Sequence, residues 1–61
     1  MMKYWVEEKI NVDDNLWLFV RLFAFESDAE AWIRRESKMR DIPIKLFRMI
    51  NLETDEIKYF E

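Results

Sequence analysis

Residues 16–25 read LWLFVRLFAF, and only Arg21 among them is not apolar. Side chains alternate across a strand, so Leu16, Leu18, Val20, Leu22 and Ala24 are expected on one face and Trp17, Phe19, Arg21, Phe23 and Phe25 on the other. The aliphatic face calls for a helix over it, and the aromatic face for a partner. Upstream, residues 2–10 set Met2, Tyr4, Val6 and Ile10 against Lys3, Trp5, Glu7 and Lys9, the pattern of a half-buried strand. The cluster NVDDN at 11–15 supplies the turn, because Asn and Asp tolerate left-handed backbone in a chain that has no glycine. A five-residue loop pairs Ile10 with Leu16, sets Val6 beside Val20 and Tyr4 beside Leu22, and leaves Trp5 opposite Arg21. A four-residue loop would turn every side chain of one strand over and mix lysines into the aliphatic face.

A helix is predicted from Ser27 to Met39 or Arg40. Ser27 and Glu30 have the spacing of a capping box, and Asp28 and Glu30 suit the positive end of the helix dipole. Ala29, Trp32, Ile33 and Met39 form the apolar stripe, with Glu36 a flaw at its edge. Glu30–Arg34 and Glu36–Arg40 are i,i+4 pairs, and Pro43 stops the helix. Alternation resumes over residues 42–52, with Ile42, Ile44, Leu46, Ile50 and Leu52 on one side and Lys45, Phe47, Met49 and Asn51 on the other. ETDE at 53–56 makes a second turn, pairing Leu52 with Ile57 and leading to a last short strand that brings Phe60 near Met49. Residues 1–61 thus form a single α+β domain, β-β-α-β-β, with one helix packed on one face of a small antiparallel sheet. Two strand orders fit. Order 2-1-3-4 puts residues 16–25 at an edge, where unpaired backbone invites another chain; order 1-2-3-4 puts them in the middle, which their two-sided apolarity favours.

A chain of 61 residues buries only ~60% of its unfolded surface and needs some added source of stability. With neither Cys nor His, disulfides and Cys/His zinc sites are excluded and association remains. The mix of 51% hydrophobic and 38% charged residues is globular. No apolar run approaches the ~18 residues of a membrane span, and the acids in MMKYWVEEK interrupt any signal-peptide core, so a cytoplasmic protein without a membrane partner is expected. The net charge of −3 is uneven: residues 34–48 hold six bases against two acids, while the flanking segments are acidic. Arg34, Arg35, Lys38 and Arg40 form a basic patch on the helix, expected to be a solvated face, since a nucleic-acid-binding domain usually shows a basic excess overall.

Little catalytic chemistry is available. There is no imidazole base or thiol, no hydroxyl has a base beside it in the pattern, and Glu7 and Glu8 face opposite ways on a strand. Asp13 and Asp14 lack the glycine and bidentate glutamate of a calcium loop, and no glycine-rich phosphate loop can be drawn. The expectation is a non-enzyme with no catalytic residues, metal or cofactor. The feature with content is the aromatic side of the sheet, where Trp5, Trp17, Phe19, Phe23, Phe47, Met49 and Phe60 would interleave with Lys3, Arg21 and Lys45. Such mixtures are enriched in interfaces, and Trp5, Trp17, Phe19, Arg21, Phe23 and Phe47 are the candidate partner contacts. The competing reading has the twisted sheet and chain ends cover this face, with Arg21 stacked on Trp5.

The layout YWVEEKI, FAFESDAEAWIRRE and IPIKLFRMINLETDEI resembles small accessory proteins of phage genomes, in which a strand hairpin leads to a helix like F-x-S-x-x-E-A-x-x-W and a returning strand. The element order is similar to that of early phage inhibitors of host RNA polymerase, which are short, acidic β-β-α-β proteins. Trp32 directly after Ala31 and the fourth strand depart from that pattern, and no functional residue carries over. The resemblance implies a non-enzymatic module that binds and inhibits a host or cellular protein. Two alternatives stand beside it: a structural homodimer that closes the same aromatic face, and a weak nucleic-acid binder acting through the basic helix.

Overall fold

The computed structural model describes all 61 residues. Strands β1 (Tyr4–Glu8) and β2 (Leu18–Phe23) form a hairpin, helix α1 (Glu26–Arg40) crosses the sheet, and β3 (Phe47–Asn51) and β4 (Ile57–Tyr59) form a second hairpin. The sheet is antiparallel in the order β2-β1-β3-β4, so the apolar strand lies at an edge despite its two-sided character. The helix packs on one face of this sheet in an α+β domain. Residues 42–46, expected to open the third strand, instead carry the chain through Pro43 into a 3-10 turn at Ile44–Leu46, closed by Leu46 N–H donating to the Pro43 carbonyl.

The faces of the sheet are set by one irregularity. From the turn to Glu7 the first hairpin keeps the register expected from a five-residue loop, Glu8 opposite Leu18 and Glu7 opposite Phe19. Val6 then faces Arg21 and not Val20, because Val20 is an extra residue in β2, a β-bulge. Past that bulge β2 is turned over: Arg21 and Phe23 lie on the helix side beside Val6 and Tyr4, and Leu22 lies on the open side beside Trp5. In β3 the register Val6–Met49 and Glu8–Phe47 likewise sends the aromatic side inward. The core is Val6, Ala29, Ile33, Phe47, Met49 and Phe60, with Tyr4, Phe23, Trp32, Ile42 and Ile44 against it. The helix therefore covers the side of β3 and β4 expected to be open. One signal for this is in the sequence: Arg48 shares the parity of Leu46 and Ile50, and turning that side inward would bury a guanidinium. The second hairpin pairs Ile50, not Leu52, with Ile57, a two-residue shift that keeps parity.

The helix begins one residue early, on an extended Phe25 that makes no side-chain cap; Ser27 is exposed inside the first turn, and the expected capping box does not form. Both i,i+4 pairs do, Glu30–Arg34 at 3.8 Å and Glu36–Arg40 at 3.7 Å. Met39 is exposed and outside the stripe. At the C-terminus, Ile42 N–H donates to Ser37 O and Asp41 N–H to Lys38 O, with Asp41 left-handed at φ 51°. This is a Schellman closure with an aspartate where glycine is usual, and its carboxylate sits at the negative end of the helix dipole. Replacing Asp41 by Gly removes the Cβ cost and the charge, and should stabilise the fold by about 0.5–1 kcal/mol, a rise in Tm of roughly 3–6 °C in a domain this small. Thermal melts followed by circular dichroism check this, and a lower Tm would rule out the strain at Asp41.

Candidate functional site

The face opposite the helix is laid out in two cross-strand rows. One is Leu22, Trp5, Ile50 and Ile57; the other is Phe19, Glu7, Arg48 and Tyr59. At its centre Glu7 accepts hydrogen bonds from Trp5 Nε1 at 2.9 Å and Arg48 Nε at 2.7 Å. Arg48 Nη2 also reaches Glu7 Oε1 at 2.7 Å. Trp17, from the segment leading into β2, folds back over this centre, with the Arg48 guanidinium 4.4 Å and Lys9 Nζ 4.9 Å from its ring and Tyr59 at 6.2 Å. Trp5 and Phe19 pack with centroids 4.3 Å apart. The face is thus a polar centre roofed by one tryptophan, with an apolar margin left in solvent: Phe19 is 48% exposed, and Ile57 and Tyr59 are also exposed. The margin continues around β2, where Leu18 and Val20 are exposed along the free strand edge.

Of the six candidate contacts, Trp5, Trp17 and Phe19 come together on this face. Arg21 and Phe23 lie on the other side of the sheet, where the Arg21 guanidinium sits 5.0 Å from the Phe23 ring and 5.9 Å from Trp32, not on Trp5. Phe47 is 0% exposed and packs edge-on against Trp32 in the core, so it is no partner contact; Met49 and Phe60 are buried with it. Leu22, Ile50, Ile57 and Tyr59, which alternation alone places on the covered aliphatic side, belong to the open face, and Arg48 joins them there.

Half of the basic patch is paired. Arg40 makes a bidentate pair with Glu8 at 2.7 and 2.9 Å, a contact that raises its pKa further above the usual arginine range, chiefly through these hydrogen bonds. Arg34 and Lys58 both approach Glu30. Arg35 and Lys38 enter none of the ion pairs. No three carboxylates converge as metal ligands would, and Asp14 uses its side chain to accept from Leu16 N–H within the turn. No helix is long and apolar enough to cross a membrane. Comparison of the chain with protein-family models, with curated proteins and with solved structures finds no match to any of them.

Proposed function

We propose that this protein is a non-enzymatic binding module whose open sheet face and β2 margin take up another protein and alter its activity. The observation that carries this reading is the exposed apolar margin, Phe19 packed on the half-buried Trp5 at the β2 side and Ile57 and Tyr59 at the β4 side; Phe19 adjoins the exposed Leu18 and Val20 of a free edge. Monomers seldom leave such a surface unused, and the composition of aromatic residues with an arginine is that of interface centres. The resemblance to phage inhibitors makes a host protein the partner class, and the partly neutralised helix speaks against nucleic acid as the main ligand.

Phe19→Glu places a charge at the β2 end of the margin, beside the free edge, without touching the core. Capture of a partner from native cells, compared with Met39→Glu as a control of equal charge on the helix, should fall at least tenfold for Phe19→Glu alone. Light scattering behind size exclusion across a concentration series is the companion measurement. A dimer that Phe19→Glu turns into a monomer would assign the margin to self-association, the homodimer alternative, and unchanged capture would remove the face from consideration.

A further inference from the structure

The edge strand β2 has a second side, facing the helix, whose chemistry differs from the apolar margin. There Arg21, Phe23, Asp28, Ala31, Trp32 and Arg35 line a groove of about 340 Å³ between β2 and α1. Neither guanidinium has a carboxylate: no ion pair and no side-chain hydrogen bond in the structure uses Arg21 or Arg35. Asp28 is the one acid of the groove, so the groove keeps an excess of positive charge in a chain whose net charge is −3. Arg21 is held over the Phe23 and Trp32 rings, which orients its donors without using them.

The backbone beside this groove is equally unpartnered. The other edge strand, β4, is three residues long and carries Lys58, tied to Glu30 at 3.0 Å. By contrast β2 runs six residues with no proline and a single charge, and β1 is its only neighbour. A short, charged edge such as β4 resists strand addition; β2 is the longer and less charged of the two edges, its Val20 bulge interrupting the residues that can pair on either side of it. A strand added to β2 would present alternate side chains to the groove at spacings of about 6–7 Å, and carboxylates at those positions would meet two arginines that have no other acid partner. A second copy of the chain is a poor occupant. Its β2, LFVRLF, holds no carboxylate, and full antiparallel overlap of two β2 strands sets Leu18 against the copy's Phe23 and Arg21 against the copy's Val20, so neither Arg21 gains an acid partner.

We infer that β2 accepts an extended acidic segment of another protein as a fifth strand, its carboxylates paired with Arg21 and Arg35 in the β2–α1 groove. Main-chain hydrogen bonds to the β2 edge hold the segment, and the two arginines select its charge. The inference rests on the reading of the protein as a binding module and specifies what its partner presents at this edge.

The test uses the full chain and a labelled, end-capped octapeptide of alternating glutamate and valine, with a lysine–valine peptide as control, followed by fluorescence anisotropy. The glutamate peptide should bind at least tenfold more tightly than the lysine peptide and weaken as salt rises. Arg21→Glu and Arg35→Glu, both at exposed positions, should each cost at least tenfold, and the double variant should prefer the lysine peptide. Circular dichroism confirms that the variants are folded. In the wild type, bound peptide should slow hydrogen exchange at the β2 amides that face away from β1. Charge-independent binding, binding that leaves β2 exchange unchanged, or tighter binding of a single-stranded oligonucleotide than of the glutamate peptide would each overturn the inference. Absence of peptide binding while Phe19→Glu still abolishes partner capture would overturn it too, and leave the binding-module reading standing.

Discussion

Phe47→Ala should cost the protein about 3–5 kcal/mol, at least a third of its stability. Phe47 is fully buried in the cluster of Val6, Ala29, Ile33, Met49 and Phe60, and its ring meets Trp32 edge-on at 6.2 Å. Truncating a buried phenylalanine costs about 3–5 kcal/mol, the lost transfer energy plus the cavity left behind. A domain of 61 residues has about 3–9 kcal/mol in total at typical values per residue, so the loss takes between about a third and all of it. Phe19→Ala, by contrast, removes a ring already half in solvent and should cost no more than about 1 kcal/mol. Urea titrations followed by tryptophan fluorescence compare the two directly. Equal losses would mean that the two rings do not lie on opposite sides of the sheet, and the face assignment on which the binding surface depends would fall.

The second large effect concerns the polar centre of the open face. Glu7 and Arg48 stand opposite each other on β1 and β3, both side chains largely covered, and the same carboxylate holds Trp5 Nε1. Glu7→Ala strands a guanidinium and an indole N–H in a partly dry setting, and hydrogen bonds to charged groups contribute about 1.5–3 kcal/mol each. We expect a loss of roughly 2 kcal/mol, with the lower end favoured by the residual solvent. A double-mutant cycle of Glu7→Gln with Arg48→Met should give a coupling of about 1–2 kcal/mol. The exposed helix pair of Glu30 and Arg34, 3.8 Å apart, should give no more than ~0.5 kcal/mol in the same assay. A Glu7–Arg48 coupling as small as that of the helix pair would show that the centre of the face is ordinary surface. The magnitude matters for function, because Arg48 is also what Trp17 rests on. If the pair is weak, Trp17 is free to move and the roof over the face is not preformed.

Both effects turn on which side of each strand faces the helix, and the sequence was informative there only in part. Alternation over residues 2–10, the helical spacing of Ala29 and Ile33, the stop at Pro43 and the two turn clusters are local signals. A local signal acts through backbone geometry and needs no knowledge of the rest of the chain. They determined the element order, the class of fold and the inward side of β1, where Met2, Tyr4, Val6 and Ile10 share one parity and Lys3, Glu7 and Lys9 stand with a single aromatic, Trp5, on the other. Capping was less local than its motif suggests: Ser27 has the right spacing, yet the helix starts at Glu26 with the extended Phe25 in the cap position, and the serine stays in solvent.

For β2 and β3 both parities are largely apolar, so alternation could not choose between them, and in β4 it favours Ile57 and Tyr59, which lie on the exposed side. The tertiary structure made that choice through two facts that no window of sequence contains. One is the single extra residue at Val20, which turns over the far half of β2 and carries Arg21 and Phe23 to the helix side. The other is the register of β3 on β1, which sets Met49 beside Val6 and Phe47 beside Glu8 and so fills the core with aromatics. Because a strand repeats every two residues, a shift of one exchanges its entire core and surface. Strand order was decided in the same way. Apolarity on both sides of residues 16–25 suggested a central strand, but the antiparallel path back from α1 puts β3 against β1 and leaves β2 at the edge, its apolar side chains in solvent. That outcome gives the protein its open margin, its free backbone and the groove with two unpaired arginines, all of which depend on long-range pairing and none on local propensity.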